Sequence, residues 1–359
     1  MALADRMTGE TLVIRADASA GIGAGHVMRC LALAQAWQDA GGRVIFALAS
    51  GADQVGNRLR TENMDVAEIS ATPGTADDAT QTSELCRKLR SPWLAVDGFH
   101  FSAEYRQGVR NAVSRLLLFD DHGEFAPYRC DVVLNTNPYA SEELYPQPAA
   151  PARYLLGPAY GLLRREFLKR RPQRSEVPSV ARSVLVTFGG SDPNNVTLQV
   201  IQALALLGDL GLETTVVVGA ANPHRSTLET AAQRASNLRL LYNPENLPDL
   251  MPAMDLAISA GGGTCYELAF LGVPMFLITM AQNHERTVEA WGQRGAAVNA
   301  GWFRELNSER LAARLREVIG NQELRRTLAR NAAGMVDGLG ASRVVKAMLQ
   351  QPRSERSDR

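Results

Sequence analysis

The sequence predicts an α/β protein built from two doubly wound domains, and three observations support this fold class. Short continuous apolar runs alternate with amphipathic stretches through most of the chain, a pattern typical of parallel strands that helices cover on both faces. The alternation stops once, at residues 169–183, which are rich in Arg, Pro and Ser and have the composition of a linker. A length of 359 residues also suits two domains of roughly 150 residues or more each.

In the first half, apolar runs are expected to be strands and amphipathic stretches are expected to be helices. The expected strands are residues 11–15, 43–49, 65–69, 93–96, 116–119 and 132–134. The expected helices are residues 27–40, 75–89 and 103–113. Each apolar run is short and unbroken, as in a strand buried on both faces, so the first domain is predicted to hold one parallel sheet.

The same alternation restarts after the linker. The expected strands are residues 183–188, 214–218, 238–242, 256–259 and 275–279, and the expected helices are 197–207, 225–234, 265–271 and a helical stretch from 283 to about 349. We therefore predict a first domain at residues 1–170, a linker at 171–183, a second domain at 184–350 and a disordered polar tail at 351–359. The two domains are expected to face each other across a cleft, with ligands bound beyond the carboxyl ends of the strands.

Charge and composition exclude several classes of partner. Lys and Arg together number 38, as do Asp and Glu, whereas nucleic-acid binders and polybasic membrane-surface proteins usually carry a basic excess. No apolar run approaches the ~18 residues of a membrane helix, and the first eleven residues contain three charged side chains, so we expect no signal peptide. The four scattered cysteines predict neither disulfides nor a zinc knuckle and favour a reducing cytoplasm.

The loop after the first expected strand combines glycines with a histidine at the start of a helix. It carries Gly21, Gly23 and Gly25, followed by His26. Alternate glycines let the backbone approach a ligand closely, and the helix that follows offers free N–H groups to an anion. A dinucleotide fingerprint is a weak interpretation, because His26 occupies its third glycine position. His26 is either a capping residue of a tight turn or a general base or acid, a role for which imidazole is suited at neutral pH.

Two loops of the second domain also join an apolar strand to a helix. Residues 189–192 read Gly-Gly-Ser-Asp, where Ser191 or Asp192 either caps the next helix or contacts a phosphate, and the two roles are compatible. Gln282 and Asn283 begin a later helix, where their amides suit the recognition of hydroxyl or phosphate groups.

The strongest local signal is the run at residues 259–267, Ser-Ala-Gly-Gly-Gly-Thr-Cys-Tyr-Glu. Three consecutive glycines leave their backbone N–H groups available to a diphosphate. Glu267 follows Thr264 by three residues, which is the spacing of a capping box. Glu267 therefore either reaches back to the N–H of Thr264 or binds the hydroxyls of a ribose.

These motifs together resemble the nucleotide-sugar enzymes of the glycosyltransferase-B fold, whose two domains are Rossmann-like. The motifs are GIGAGH, the GG-x-D loop and ISAGGGTCYELAFLGVP with AQNHE. A narrower resemblance, to the UDP-sugar hydrolases of pseudaminic acid biosynthesis, is carried by RADASAGIGAGHVMRCLALA, LLLFDDHGE, CDVVLNTNPYA, LLGPAYGLLRREF and VLVTFGGSDPNN. It runs from about residue 11 to about residue 291. It implies hydrolysis of UDP-2,4-diacetamido-2,4,6-trideoxy-β-L-altropyranose to UDP and the free sugar, with inversion at C1.

The resemblance places the catalytic histidine at His26 and the UDP-binding glutamate at Glu267. We expect Asp17 to orient the imidazole or contact a sugar hydroxyl, and Asn135 and Asn137 to take the acetamido groups. The expected substrate-binding residues are Arg15, Gly23, Gly25, Asn135, Asn137, Tyr139, Arg164, Gly190, Gly262, Gly263, Thr264, Glu267, Gln282 and Asn283. Because helix N-termini can stabilise the diphosphate without a metal, we expect no metal, no cofactor and activity that survives EDTA.

Two segments need a separate interpretation. Residues 120–124, Asp-Asp-His-Gly-Glu, favour a polar turn over a metal site, because ligand spacing alone is a weak signal. The loop after the fourth strand often reads Asp, any residue and Tyr in relatives, but here Phe99 stands in the tyrosine position. If the missing hydroxyl holds water or sugar, His100 is the residue expected to replace it.

Three other functions stay open. A glycosyltransferase with a lipid or protein acceptor would need an apolar or basic docking patch on the first domain, and the sequence has no obvious one. A UDP-sugar 2-epimerase of similar fold is a second alternative. The third is a catalytically silent UDP-sugar-binding regulator, which the substitution at Phe99 keeps open.

Overall fold

The computed structural model describes residues 9–19, 23–123, 128–145, 152–170, 177–235 and 237–350. The chain divides into two units, Met1–Arg165 with Gly338–Arg359 (unit 1) and Glu166–Asp337 (unit 2). Residues 171–176 of the expected linker and the whole expected tail, 351–359, lie outside the described residues. Each unit holds one parallel sheet and its own apolar core.

The sheet of unit 1 has the strand order β3-β2-β1-β4-β5-β6-β7, and its paired strands are parallel. Every residue of β1 is buried, because successive side chains point to opposite faces and helices cover both. The order reverses between β1 and β4, which is the switch point where such sheets bind ligands. The strands are β1 (Thr11–Ala16), β2 (Arg43–Ala49), β3 (Asp65–Ile69), β4 (Trp93–Asp97), β5 (Arg115–Phe119), β6 (Val132–Asn135) and β7 (Arg153–Leu156).

Four helices connect the first strands of unit 1, and a short fifth helix begins at the boundary between the units. The helices are α1 (Gly25–Asp39), α2 (Asp53–Thr61), α3 (Ala76–Lys88), α4 (Ala103–Arg110) and α5 (Arg165–Leu168). The side chains of Thr75 and Ser102 accept hydrogen bonds from backbone N–H groups at the starts of α3 and α4. These bonds satisfy donors that the helices themselves leave unpaired, so both helices have defined starts.

Unit 2 repeats the architecture with the strand order β10-β9-β8-β11-β12-β13. Its strands are β8 (Ser183–Thr187), β9 (Glu213–Val218), β10 (Leu238–Tyr242), β11 (Leu256–Ser259), β12 (Met275–Thr279) and β13 (Val298–Trp302). Its helices are α6 (Val196–Ala205), α7 (Arg225–Gln233), α8 (Leu247–Leu250), α9 (Thr264–Phe270), α10 (Gln282–Gln293), α11 (Ser308–Gly320) and α12 (Gln322–Met335). The switch point of this sheet lies between β8 and β11.

The last described helix, α13 (Gly340–Leu349), packs against α1 and belongs to unit 1. A Cβ on Gly340 would lie 2.1 Å from the carbonyl oxygen of Gly161, so the helix starts in direct contact with backbone. The sequence analysis placed this stretch in the second domain, but its apolar side chains complete the core around α1 and β1. These side chains are Val344, Val345, Ala347 and Met348.

The predicted fold class, two doubly wound α/β domains, is confirmed. Each expected strand forms within one residue of its predicted bounds. The structure adds α2, the short helices α5 and α8, and β7, and it places β13 inside the stretch that was expected to be wholly helical. β13 is an edge strand with a single fully buried position, so its sequence lacks the continuous apolar run that identified the other strands.

The four cysteines are buried free thiols. Burial raises the pKa of Cys86 and that of Cys130 to about 12, so both thiols stay protonated at neutral pH and are poor nucleophiles. No helix in the described part of the chain is long and apolar enough to cross a bilayer.

Candidate active site

The loop after β1 places His26 in the first turn of α1. Gly23 has a φ of +76°, a left-handed conformation that favours glycine, and its N–H donates to the carbonyl oxygen of Ser19 at 2.7 Å. Gly25 is the first residue of α1, and Gly21 lies outside the described residues. The turn at Gly23 therefore leads directly into the helix that carries the predicted base.

His26 pairs with Asp97, the last residue of β4. The His26 Nδ1 lies 2.7 Å from Asp97 Oδ1, and the Asp97 side chain is fully buried while that of His26 is 11% exposed. Because a carboxylate only accepts hydrogen bonds, Nδ1 carries the proton of this bond, and Nε2 is the ring nitrogen that lies away from it. An aspartate bonded to Nδ1 fixes the orientation of the imidazole ring, as the aspartate of a catalytic triad does.

Arg29, one helical turn after His26, binds the same carboxylate with two nitrogens. Its Nε lies 2.5 Å from Asp97 Oδ2 and its Nη2 lies 2.6 Å from Asp97 Oδ1. Burial alone would raise the pKa of Asp97, but the positive charge of Arg29 and the hydrogen bonds from Arg29 and His26 hold it well below its usual range. Asp97 therefore stays ionised at neutral pH and remains an acceptor for His26.

The third nitrogen of Arg29 meets Asp121, in the loop after β5. Arg29 Nη1 lies 3.0 Å from Asp121 Oδ1 and 2.9 Å from Oδ2. Asn137 Nδ2 donates to the same Asp121 Oδ1 at 3.1 Å, and the Tyr139 hydroxyl donates to the Asp121 carbonyl oxygen at 2.5 Å. These bonds join the β6 loop, the β5 loop and α1 around Asp97.

The structure gives Asn135 a role different from the predicted contact with an acetamido group. Its side chain is fully buried, its Nδ2 donates to the Tyr145 hydroxyl at 3.1 Å, and its Oδ1 accepts from the Asn137 backbone N–H at 3.0 Å. A fully buried amide has no surface for a ligand, so the sugar contact predicted for Asn135 is corrected to a structural one. Asn137 is also buried, with its amide group bonded to Asp121 and Asn135.

Asp17, predicted to orient His26, instead pairs with His100. Asp17 Oδ2 lies 2.9 Å from His100 Nε2, and Asp17 Oδ1 accepts from Arg15 Nη1 at 2.5 Å. Burial would raise the pKa of Asp17, but the hydrogen bonds from His100 and Arg15 lower it to about 2. The two pairs therefore cross between the strands. His26, after β1, bonds Asp97 at the end of β4, and His100, after β4, bonds Asp17, which follows β1.

Arg15 and His100 complete the polar contacts at this switch point, and the prediction for Arg15 is corrected. Arg15, expected to bind substrate, has a fully buried side chain that pairs with Asp78 at 3.0 and 2.8 Å as well as with Asp17. His100, expected to replace a missing hydroxyl, has its Nε2 bonded to Asp17 and a side chain that is 24% exposed, and its expected role stays a prediction. Both side chains therefore hold the loops after β1 and β4 in place.

Phe99 is 47% exposed beside His26. Its ring meets the His26 ring edge-on at a centroid distance of 4.9 Å and stacks on the His122 ring at 5.4 Å. Such aromatic contacts stabilise a fixed ring orientation. Phe99 thus limits the rotation of the imidazole and gives one side of it an apolar surface.

The Asp120 carboxylate supports the predicted turn at residues 120–124. Its Oδ1 accepts from the backbone N–H groups of His122 and Gly123 at 3.1 and 2.9 Å, and its Oδ2 accepts from the Tyr128 hydroxyl. These bonds form a polar turn at the described part of this segment, residues 120–123. Glu124 lies outside the described residues.

In unit 2, Asp192 caps α6. Its Oδ1 accepts from the Val196 N–H at 2.9 Å, and its Oδ2 accepts from the Thr197 N–H at 2.9 Å and the Thr197 hydroxyl at 2.6 Å. The capping role predicted for this residue is therefore present. Gly189, with φ +77°, and the exposed Gly190 form the turn ahead of it.

The glycine loop after β11 leads into α9. Gly261 is closed in, since a Cβ there would lie 2.6 Å from Val288 Cγ2 of α10, whereas Gly262 and Gly263 have no such neighbour within 4 Å. α9 begins at Thr264 with Gly263 as its N-cap and without a side-chain cap. A capping box would need Thr264 at the N-cap, a position that Gly263 occupies, and the choice between the two predicted roles of Glu267 stays open.

Three expected substrate contacts have exposed or half-buried side chains. Gln282 and Asn283 are exposed at the start of α10, and Gln282 Nε2 donates to Glu285 Oε2 at 2.6 Å. Arg164 is half-buried immediately before α5. Their assignments to substrate remain predictions.

Sequence reasoning missed Arg29 and the role of Asp97. Arg29 follows His26 by three residues, and helical residues at this spacing share a face. Asp97 is a charged residue that ends an otherwise apolar strand. These two signals identify the residues only when combined with the adjacency of β1 and β4.

Comparisons with known proteins agree with this architecture. Residues 184–343 match the family model described as "Glycosyltransferase family 28 C-terminal domain". The chain is 26% identical to an uncharacterized protein of Methanocaldococcus jannaschii over 74% of this chain and 55% of that protein, so it spans little more than half of that relative. It is 24% identical to the UDP-2,4-diacetamido-2,4,6-trideoxy-beta-L-altropyranose hydrolase of Campylobacter jejuni over 80% of this chain and 98% of that protein.

Among solved structures, the chain resembles MurG of Acinetobacter baumannii, with a TM-score of 0.67 and 15% sequence identity. The match covers 95% of this chain and 100% of that one. With two parallel-sheet α/β units of this topology, the chain has the glycosyltransferase-B fold.

Proposed function

We propose that the protein hydrolyses UDP-2,4-diacetamido-2,4,6-trideoxy-β-L-altropyranose to UDP and 2,4-diacetamido-2,4,6-trideoxy-L-altrose. The observation that carries this proposal is the His26–Asp97 pair at the switch point of unit 1, in which His26 Nδ1 lies 2.7 Å from Asp97 Oδ1. A hydrolase needs a base for water, and this pair supplies one. The 24% identity to a hydrolase of this substrate over 98% of that protein supports the choice of sugar.

In the proposed reaction, His26 Nε2 removes a proton from a water molecule as its oxygen attacks C1 of the sugar. The bond between C1 and the diphosphate oxygen breaks, and UDP leaves with the electron pair. The imidazolium that forms is stabilised by the Asp97 carboxylate, and its proton then passes to solvent. Attack opposite the leaving group inverts the configuration at C1.

Unit 2 is proposed to bind UDP. Gly262, Gly263 and Thr264 precede or begin α9 with backbone N–H groups that suit a diphosphate, and Gly190 occupies the equivalent turn after β8. Glu267, half-buried in the first turn of α9, is proposed to accept hydrogen bonds from the ribose. The match of residues 184–343 to a glycosyltransferase C-terminal domain supports a nucleotide-sugar role for this unit.

That same match favours one alternative, a glycosyltransferase acting on a separate acceptor. The alternative shares the UDP site and differs in what attacks C1. An acceptor hydroxyl, rather than water, would then lose its proton to His26.

The test is incubation of the purified full chain with the UDP-diacetamido sugar alone, in water enriched in ¹⁸O, followed by NMR and mass spectrometry. We expect UDP and the free sugar as products. The UDP should contain no ¹⁸O, because the C1–O bond and not a P–O bond breaks. A 2-epimeric sugar as product, tight binding without turnover, or turnover only after an acceptor is added would each refute the hydrolase.

The matched variant is His26→Asn, which removes the base while keeping a polar side chain of similar size. We expect kcat to fall by about 10²-fold or more, the typical contribution of general base catalysis. UDP affinity, measured by calorimetry, should stay within twofold of wild type. Turnover close to wild type would remove His26 from the mechanism.

A further inference from the structure

We propose that Asn137 and Tyr139 are positioning residues for His26, acting through Asp121 and Arg29, and are not ligands of the sugar. The kinetic test of this inference rests on the proposed function, whereas the structural argument uses only the geometry of unit 1. It assigns the Asn-x-Asn-x-Tyr segment of the β6 loop to the orientation of the base.

The first step is the fixation of Asp121. The Tyr139 hydroxyl donates to the Asp121 carbonyl oxygen at 2.5 Å, and Asn137 Nδ2 donates to Asp121 Oδ1 at 3.1 Å. Asn137 is itself held by the fully buried Asn135, through Oδ1 at 3.0 Å. Hydrogen bonds therefore hold both the backbone and the side chain of Asp121 to the loop after β6.

The second step is the orientation of Arg29. Its guanidinium is a rigid planar fork, and all three of its nitrogens meet carboxylate oxygens: Nη1 meets Asp121, while Nε and Nη2 meet Asp97. Asp121 is the only one of these carboxylates that lies outside the His26 pair. The two bonds to Asp97 alone would let the guanidinium rotate together with that carboxylate. The additional bond to Asp121 therefore fixes the rotation of the guanidinium.

The third step reaches the base. Asp97 Oδ1 accepts from both Arg29 Nη2, at 2.6 Å, and His26 Nδ1, at 2.7 Å. A change in the direction of Arg29 therefore changes the direction of the oxygen that orients the imidazole. Positioning groups of this kind fix the tautomer and orientation of the histidine they support.

A sugar-binding role would need polar atoms that are available to a ligand. The Asn137 side chain is buried, and its amide nitrogen and the Tyr139 hydroxyl both have protein partners within the β5 and β6 loops. The geometry of these two residues therefore matches support of a neighbouring loop.

The kinetic test uses Tyr139→Phe and Asp121→Asn in the full chain with the UDP-diacetamido sugar. Each change removes a hydrogen bond or a charge at constant size, and the loss of one such bond corresponds to about a 3- to 10-fold fall in kcat. KM should stay within twofold. Tyr242→Phe is the matched control, since the Tyr242 hydroxyl also donates to a protein oxygen, Glu229 Oε1 at 2.8 Å, but lies in unit 2; its kcat should be unchanged.

A double-mutant cycle sharpens the result. In the His26→Asn background, Tyr139→Phe should cause no further fall in kcat, because the base it positions is already missing. A rise in KM with kcat unchanged, or an undiminished effect in the His26→Asn background, would assign Tyr139 to the sugar and overturn the proposal.

A second readout needs no substrate. Nitrogen-15 NMR of the five histidines, with the His26 signal assigned from its loss in His26→Asn, reports which ring nitrogen carries the proton. We expect Nδ1–H in the wild type and a mixture of tautomers in Asp121→Asn, with His224 and His284 of unit 2 unchanged. An unchanged His26 signal in a folded Asp121→Asn variant overturns the proposal. A wild type that fails to hydrolyse the sugar refutes the proposed function instead. In that case the nitrogen-15 measurement still decides the positioning role.

Discussion

At the scale of single residues, the site of unit 1 depends on which carboxylate meets which histidine. The two aspartates follow or end adjacent strands, and each bonds the histidine of the other strand's loop, at 2.7 Å for His26–Asp97 and 2.9 Å for His100–Asp17. The crossed pairs tie the two loops of the switch point together. A change in either aspartate therefore affects both loops, not only the histidine it bonds.

Substitution of Glu267 separates a role in UDP binding from a role in the stability of the folded protein. The functional assignment predicts that Glu267→Ala loses charge-assisted hydrogen bonds to the ribose, each contributing roughly 1.5–3 kcal/mol. UDP affinity should then fall at least about tenfold. If Glu267 instead only completed a capping bond within α9, the substitution would lower the melting temperature and leave UDP affinity unchanged.

Calorimetric titration with UDP, beside a thermal melt of the free variant, measures both quantities. Glu323→Ala, on the exposed surface of α12 and paired with Arg326, is the control and should bind UDP like the wild type. The wild type should also bind the 2′-deoxyribose nucleotide more weakly than UDP, while Glu267→Ala should barely distinguish them. Unchanged UDP affinity in Glu267→Ala would remove the ribose assignment.

The histidine of the site could be predicted from sequence, but its partners could not. His26 follows a glycine loop at the end of an apolar strand, which is a local pattern. The Asp97 partner depends on the pairing of β1 with β4, two strands separated by β2 and β3 along the chain. The expectation that Asp17 orients His26 was wrong for the same reason, because nearness in sequence was used where sheet order decides; its alternative, a contact with a sugar hydroxyl, stays a prediction.

At the scale of elements, strands were more predictable than the ends of the domains. The buried strands have continuous apolar runs, and the physical requirement that both faces be covered makes that pattern specific. The helix α13 has an ordinary amphipathic pattern, and nothing local indicates which core its apolar face joins. Its contact with α1 and with the backbone at Tyr160 and Gly161 assigns it to unit 1.

Gly340 gives a test of that contact. A Cβ there would meet backbone atoms of Tyr160 and Gly161 at 2.1 to 2.7 Å, and backbone cannot move aside as the end of a flexible side chain can. Gly340→Ala should therefore destabilise unit 1 by about 1–3 kcal/mol or more, as overpacking does. Urea denaturation followed by tryptophan fluorescence measures the change.

Gly334→Ala, on the helix that precedes α13 along the chain, is the matched control. Gly334 lies in α12 with nothing within 4 Å of its added Cβ. Alanine is favoured over glycine inside a helix by roughly 0.5–1 kcal/mol, so this variant should be as stable as the wild type or slightly more stable. Equal stability of Gly340→Ala and the wild type would contradict the close packing of α13.

At the scale of the whole molecule, the two units should respond differently to acid. The pKa of Asp17 is lowered to about 2 by His100 and Arg15, against its burial, and Arg29 and His26 lower that of Asp97. A lowered pKa stabilises the folded state above the ordinary value near 4, and this stabilisation is lost as the pH falls toward the folded value. Asp192 of unit 2 has the opposite shift, because burial raises its pKa.

We therefore expect unit 1 to lose stability between about pH 5 and pH 2, with Asp17 alone accounting for ~2 kcal/mol. Hydrogen exchange, measured by mass spectrometry after equilibration at each pH and corrected for intrinsic rates, assigns the loss to peptides of each unit. Asp17→Asn should flatten the pH dependence of unit 1 peptides. A unit 1 as stable at pH 3 as at pH 7 would contradict the prediction.

The return of α13 to unit 1 has a consequence for synthesis on the ribosome. All of unit 2, residues 166–337, emerges before Gly340–Leu349 does. Until then the face of α1 that receives Val344 and Met348 has no covering helix, whereas the strands and helices of unit 2 are already complete. Domains usually finish folding in the order in which they are made; here the second unit can close its core first, and the uncovered face of α1 is the apolar surface that a chaperone would meet on the nascent chain.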